Sequence, residues 1–518
     1  MKRLLCVFLA LAMLFSVLMI VASCNTPSET TEDTTKSPTV NTEADKTEGV
    51  ETKEQPSTGN SGETDVPSTE GTTKATENDG HYKYEGYEDV DFGGKVFRFG
   101  TFIDSNTVEF NDEPDFWTEG INGDAVNDAI YERNQVMKKL YNCTIEADSG
   151  WTNFNEDVAS GAGKYLGGST AYAIASTFTN GNFYNVLKFD IDYNGDGWDH
   201  AFFRDLTCNG KLFAVCGDFS IRAMRTPWIM YYNKDVYESK FADIDIYEMV
   251  RNKEWTFDKL MEFISKIKTD VDGDQVYKAT SDADSDIMGL VTTGHIYRTF
   301  FFSSGLRMVT SNYGNFKVAL DNPNGSDTVD KLIEVMQTEG FSTAGYTIAD
   351  NCMMNGTTLF VANILGQLYN YSNAENLRLG IIPCPLYQEG GEYATYCDNH
   401  ACFLGISTAY ANIDEISDFL ALFAFHSSKF VRPAFIEQIK YTYASDEDSG
   451  DMLDLILESR TYDAGYFMSL TDGFYGAWQG MLESGKNQWS QAIGRHVKTA
   501  ESNIQKFEDR IAQIDDSY

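Results

Sequence analysis

Thr226–Ile267 reads TPWIMYYNKDVYESKFADIDIYEMVRNKEWTFDKLMEFISKI and changes character twice along its length. Trp228-Ile229-Met230-Tyr231-Tyr232 is an apolar run rich in aromatic and β-branched residues, which predicts a buried strand. It stops at three consecutive polar residues, Asn233-Lys234-Asp235. Further on, Trp255-Thr256 opens a patterned helix. Thr256 is the expected N-cap, because its hydroxyl can accept a hydrogen bond from a free backbone N–H of the first turn. Trp255 before it is placed to staple onto Leu260. Leu260, Phe263, Ile264 and Ile267 then fall on one face at i, i+3, i+4 and i+7.

A strand ending in YYNKD, a spacer, and W-T-hydrophobic-D opening a helix resembles the lipid-anchored extracellular solute-binding proteins of bacterial ABC importers (family 1, the maltose-binding-like group). In that family the corresponding strand carries the chain out of a first lobe, through a hinge, into a second. The resemblance implies an α/β, two-lobe periplasmic-binding-protein-like fold of type II, with strands crossing near Tyr232–Lys234 and Ala401–Gly405 and with C-terminal helices. The implied division is a signal peptide at 1–23, a linker at 24–80, an N-terminal lobe at 81–232 and 403–445, a C-terminal lobe at 233–402, and a helical segment at 446–518 packing on the lobes.

Other stretches agree with this reading. Gly93-Gly94 is a turn, and Lys95–Phe99 alternates as a strand. Residues 123–146, GDAVNDAIYERNQVMKKLYNCTIE, are similar to the opening strand–helix–strand unit of the family, with Val126, Ile130, Met137 and Leu140 on the apolar face of the helix. Ala171–Asn180 is read as a third strand and a loop facing the ligand. Asp205–Phe213 is read as a hairpin around Asn209-Gly210. Leu379–Pro383 and Cys402–Ile406 are the expected strands back towards the first lobe. Ile416, Phe419, Leu420 and Phe423 form one helix face. Ile493, Val497, Ala500, Ile504, Phe507, Ile511 and Ile514, spaced three or four apart, predict one long amphipathic helix.

The N-terminus reads as an address. Lys2-Arg3 precede an apolar run from Leu4 to Ile20, which ends in Val21-Ala22-Ser23-Cys24. That ending resembles a lipobox, in which the thiol of Cys24 takes the lipid. The alternative is a retained span. Asn25–Gly80 is rich in Thr, Ser, Glu, Pro and Gly and has no aromatic residue; such a segment buries no core and reaches roughly 40 Å as a flexible tether. The expected location is therefore the extracellular face of the cell membrane.

The formal net charge of -38 opposes nucleic acid and anionic membrane as partners. The aromatic share of 14% suits stacking on sugar faces, although most rings in a large core simply fill it. Asp270, Asp272 and Asp274 are spaced like the start of a calcium loop. The Gly and Glu of an EF-hand are missing, being replaced by Gln275 and Ser281, so the reading is a solvated acidic loop and no metal is assigned. Asp282, Asp284 and Asp286 lie near enough in sequence to complete an irregular site. Asp192–Gly197 has similar spelling and reads as a turn. Cys384 and Cys397 are symmetric about Gly390-Gly391, so that a hairpin would set them opposite; a disulfide and two buried thiols both remain open. His81, His200, His295, His400, His426 and His496 show no metal-ligand spacing, and there is no nucleophile elbow, P-loop or dinucleotide motif. The chain is accordingly read as a monomeric binding protein rather than an enzyme, with no cofactor. A surface-anchored carbohydrate-processing enzyme and an adhesion or scaffold lipoprotein are the alternatives.

The resemblance places the following residues at the cleft: Thr177, Phe178, Asn180, Asp218, Arg222, Arg225, Trp228, Asn363, Asp398 and His400. They would hold a small solute, a carbohydrate by family, for delivery to the permease subunits of a transporter. Trp228 fits both a ring platform and hinge-strand core. The family's maltose binders carry a Trp in the segment that here reads Val361–Gln367. This chain has Asn363-Ile364-Leu365 there, so ring contact is absent at that place.

Overall fold

The computed structural model describes residues 76–78, 81–101, 115–149, 151–169, 178–282, 285–374, 376–443, 447–471 and 473–518. The chain divides into two units, 1–69 and 70–518, and every described residue lies in the second. Cys24, the apolar leader and most of the 24–80 linker fall outside the described residues. Thr76–Asn78 pairs antiparallel with His81–Lys83, so regular structure begins inside the stretch read as an unstructured linker.

Two sheets organise the molecule. The first contains β1 (Lys95–Thr101), β2 (Cys143–Ser149), β3 (Gly167–Ser169) and, much later in the chain, β9 (Leu404–Ile406). Their order is β9-β3-β1-β2, parallel except for β9. The second contains β4 (Trp228–Asn233), β5 (Met288–Thr292), β6 (Phe341–Thr343), β7 (Thr358–Ile364) and β8 (Leu379–Ile382). Its order is β6-β5-β7-β4-β8, with β4 antiparallel to both neighbours. The third strand of the first sheet includes Gly167–Ser169, and the expected strand at Ala171–Asn180 falls largely outside the described residues. Residues 170–177 lie outside the described set.

Strand β4 explains its own sequence. It runs between β7 and β8 with every residue buried, so apolar residues occur without alternation. The ring of Tyr232 lies against β8, where a Cβ on Gly380 would come within 2.1 Å of a ring carbon; only glycine fits. Asn233 closes the strand and caps the next helix, accepting from the Val236 N–H at 3.1 Å. The spacer contains two short helices, Lys234–Phe241 and Ile246–Arg251. Helix α2 (Phe257–Lys266) starts as expected: Thr256 Oγ1 accepts from the Lys259 N–H, and Leu260, Phe263 and Ile264 are buried. Trp255 is also buried and donates from Nε1 to the Pro383 carbonyl at 2.9 Å.

β4 pairs within the second sheet from its first residue. The outgoing crossing therefore lies at Thr226-Pro227, several residues before the expected Tyr232–Lys234. Pro227 bridges Cys397 of the returning chain, and the Asp398 N–H donates to the Thr226 carbonyl at 3.1 Å. Cys384 and Cys397 are both free and buried, and Cys384 Sγ contacts the Trp228 carbonyl. The Gly390-Gly391 symmetry does not become a pairing, because Cys397 pairs with Pro227 instead.

In the first lobe, α1 (Ala125–Tyr141) lies against α3 (Ile413–Glu437). Ile416, Phe419, Leu420 and Phe423 are fully buried, as their spacing required, and Phe419 stacks on Phe97 of β1 at 3.9 Å. Between these helices Arg133 is wholly buried, with its guanidinium 4.2 Å from the Phe423 ring centre and hydrogen bonds to the Phe116 carbonyl and Ser427. Asn209-Gly210 forms the expected tight turn, both residues having positive φ, but the chain before it is the helix His200–Leu206 rather than a strand.

The C-terminal helix α4 (Trp489–Gln513) joins the two cores. Trp489, Ala492 and Ala500 pack in the second-lobe cluster, and Ile504, Phe507 and Ile511 in the first-lobe cluster. A second-lobe excursion, Val309-Thr310 paired with Lys317-Val318, also reaches the first-lobe core through Val309 and Phe316. Ser311 Oγ donates to the Thr207 carbonyl and the Tyr313 N–H to that of Arg204. No helix among the described residues is long and apolar enough to cross a membrane.

Candidate functional site

Sheet topology brings one set of ends together. β5, β6 and β7 run parallel, and their carboxyl ends lead into His295, Tyr346 and Leu365 respectively. β4 is antiparallel to β7, with Trp228 paired to Ile364, so Trp228 stands at that same edge. In the first lobe β9 is antiparallel to β3, Leu404 pairing with Ser169, which puts residues 398–403 at the carboxyl end of β3. The Pro227–Cys397 bridge joins the two edges. Crevices outside the carboxyl ends of strands are where α/β sheets bind ligands.

Asp398 is the hub of this place. It is buried, and its Oδ2 accepts from Trp228 Nε1 at 3.4 Å and from the Tyr396 hydroxyl at 3.3 Å. Its Oδ1 accepts from the His400 N–H at 3.1 Å and contacts His400 Nδ1. Burial, with the charge of Asp398 beside it, holds the Tyr396 phenol well above its ordinary pKa, so it stays a donor. Arg298 Nη1 donates to the hydroxyls of Tyr396 and Tyr466 at 3.1 and 2.8 Å, and the guanidinium lies 4.4 Å from the ring centres of Tyr466 and Tyr475.

The rings form a layer. His295 lies flat on Trp228, with centroids 5.1 Å apart and planes 5° apart, and Tyr346 leans on His295 at 5.6 Å. Trp228 is 2% exposed and Tyr346 is 41% exposed, so the ring offered to solvent is Tyr346. Trp228 supports the layer and, through Asp398, ties the second lobe to the first. Burial lowers the His295 pKa, opposed by Asp398 and assisted by Arg298. Its Nδ1 has no hydrogen-bond partner among the described residues. Such a buried nitrogen at the strand edge is suited to pairing with a ligand hydroxyl. Tyr369, also 41% exposed, lies on the short helix after β7, beside Arg225, Leu365 and Phe435.

Of the residues singled out from the sequence, Trp228, Asp398 and His400 come together here. Asp218, Arg222 and Arg225 are buried on the first-lobe side; Asp218 accepts from Arg432 at 3.4 Å, and burial raises its pKa. The Arg222 N–H is held by Asp115 at 2.9 Å. Asn363 is turned into the second lobe: its Nδ2 donates to Asp350 and its Oδ1 accepts from the Ile364 N–H. Phe178 is buried in the first-lobe core against Phe213, and Asn180 is exposed. Thr177 lies outside the described residues. His295, Arg298, Tyr346, Tyr369, Tyr396 and Tyr466 were not singled out. The run Thr292-Thr293-Gly294-His295, polar residues between a buried strand and a helix, is the signal that marks the first of these.

At Asp270, Asp272 and Asp274 one carboxylate oxygen from each lies within 4.8 Å of the others. All three accept backbone N–H groups of their own loop, from Gly273 and Gln275, from Asp274, and from Val276 respectively. These hydrogen bonds hold the loop's own turns.

No family model and no curated protein matches this sequence. Solved structures do match in fold. A cyclo/maltodextrin-binding protein complexed with maltotetraose aligns with a TM-score of 0.52 at 12% identity, covering 79% of this chain and 97% of that one. A cyclic alpha-maltosyl-1,6-maltose binding protein from Arthrobacter globiformis aligns with a TM-score of 0.52 at 13% identity, covering 80% and 98%. The fold is the two-lobe periplasmic-binding-protein-like α/β fold of type II, with the two sheets meeting at their crossing strands.

Proposed function

We propose that the protein is a solute-binding protein that captures a small carbohydrate between its lobes and delivers it to the permease of an ABC transporter. The observation that carries this is the layer Trp228–His295–Tyr346 set beside the Asp398–His400 pair, at the edge where both sheets end. Sugars need a ring face and fixed polar groups for their hydroxyls, and the layer supplies both. The aligned structures are of proteins described as binding maltodextrin and cyclic maltosyl-maltose, which supports a carbohydrate over an amino acid or peptide. Capture would proceed by rotation of the lobes about the Thr226-Pro227 and Cys397-Asp398 crossing, with the closed form favoured by its greater affinity for solute.

In this reading the chain works as a monomer, without chemistry on its ligand. It is held on the extracellular face of the membrane by lipid on Cys24, with the Thr/Ser/Glu/Pro stretch as tether. The test is a thermal-shift screen of the full chain against mono- and oligosaccharides, amino acids and short peptides. A ligand that binds only the native state raises the melting temperature by mass action. A rise with one sugar class supports the reading; a rise confined to another class overturns the carbohydrate assignment, and silence throughout overturns solute capture. Loss of acyl labelling in Cys24→Ala tests the anchor.

A further inference from the structure

A cavity of about 470 Å³ opens where the helix His200–Leu206, the loop at Lys253, the chain at Arg307 and the segment Leu455–Thr461 meet. It shares no residue with the Trp228–Asp398 site. Four cationic side chains line it, in a chain that carries 78 acidic residues to 40 basic ones. Three of them have carboxylate partners. Arg204 forks onto Asp205 through Nε and Nη2 at 2.7 and 2.8 Å. Lys253 pairs with Glu392 at 2.8 Å, and Arg460 with Asp199 at 2.9 Å.

Arg307 differs. Its Nη1 donates to the carbonyls of Phe302 and Leu306 at 3.0 and 2.7 Å. Its Nε and Nη2 meet no acceptor and no carboxylate among the described residues. Burial lowers its pKa, and Asp463 and Asp205 act on it only through space. A guanidinium partly withdrawn from water with no carboxylate in contact is unfavourable, and its free donors form a fork suited to two oxygens of one anion.

We propose that this cavity is a binding site for a small oxyanion, a phosphate or a carboxylate, gripped by the free edge of Arg307 and steadied by Lys253 and Arg204 around it. The volume lies within the range of small-molecule sites and leaves room for a compact organic acid as well as for inorganic phosphate. Arg204 stands on a first-lobe helix and Arg307 on second-lobe chain, so an anion here also touches both lobes.

The test is calorimetric titration of the full chain with sodium phosphate and, separately, with sodium succinate, against sodium chloride at matched ionic strength. The expected result is saturable binding of at least one oxyanion, at least tenfold weaker in Arg307→Met. Glu458, an exposed carboxylate on the cavity wall, opposes the anion, so Glu458→Gln should tighten binding by about two- to fivefold. Which of the two salts binds decides between phosphate and carboxylate. No saturable heat above chloride with either salt, or an affinity unchanged by both substitutions, overturns the proposal. Circular dichroism checks that Arg307→Met is folded; if it is not, the Glu458→Gln titration decides alone.

Discussion

Replacing Asp463 by Asn should make the protein's stability less sensitive to pH, in a direction opposite to that of an ordinary paired carboxylate. Asp463 is 3% exposed and lies at the root of the excursion that ties the second lobe to the first. It accepts from the Met308 N–H at 2.7 Å, the Val309 N–H at 3.2 Å and the Gly465 N–H at 2.8 Å. Burial dominates these bonds and the nearby Arg307, pushing its pKa from 3.8 to about 6. A carboxyl whose native pKa stands above its unfolded value holds its proton more tightly when folded. Its contribution is therefore most favourable below the unfolded pKa and is lost as pH rises through the native one. At 1.36 kcal/mol per pKa unit the loss comes to about 3 kcal/mol by neutral pH. The amide in the Asp463→Asn variant does not titrate, and its misplaced donor is a fixed penalty at every pH. The difference in unfolding free energy between variant and wild type should thus move by about 2.5 kcal/mol in favour of the variant between pH 4 and pH 7.5, most of it below pH 6. Urea denaturation followed by tryptophan fluorescence at several pH values measures it. A difference that stays constant with pH would show that Asp463 titrates at its unfolded value, and the argument from burial would fail.

Three further outcomes are expected. Tyr346→Ala should weaken sugar binding about tenfold, the value of one ring contact, by calorimetry; because Tyr346 is exposed, the variant's melting temperature should barely move. Trp228→Ala should destabilise the protein by about 3–5 kcal/mol in urea denaturation, as expected for a buried ring, and should also weaken sugar binding, because His295 loses the surface it lies on. His295 should titrate below 6.5 by NMR; since its native pKa is lowered, its contribution to stability is present above the unfolded pKa and is lost as pH falls through the native one, a dependence that His295→Gln should remove.

Elements whose cause is local were legible in advance. The apolar run at Trp228 could only be a buried strand, Thr256 could only cap the helix behind it, and the three- and four-residue spacings of Ile416–Phe423 and of the last helix showed which faces are covered. Each depends on contacts within a few residues, which periodicity records directly. Gly167–Ser169 carries no apolar pattern, and its place in the sheet has no local signal. It is a strand because β1 and β9 flank it on both sides.

The site was legible only in part. Trp228, Asp398 and His400 lie next to the crossing, but the sequence places its outgoing strand several residues too late, and local pattern does not set the three side by side. His295, Tyr346 and Arg298 come from separate excursions of the second lobe, and nothing in their local sequence marks them as neighbours of Trp228. Whether Trp228 was platform or core also had no local answer, because it depends on a histidine 67 residues away lying flat on its face. Short-range pattern was enough to say which segments are strands and helices and which of their faces are apolar, since those properties arise between residues a turn or a pleat apart. Which strand ends meet arises between residues hundreds of positions apart, and it took the assembled chain to show it. With that meeting came the rings that are covered and, among the described residues, the buried polar atoms that lack partners.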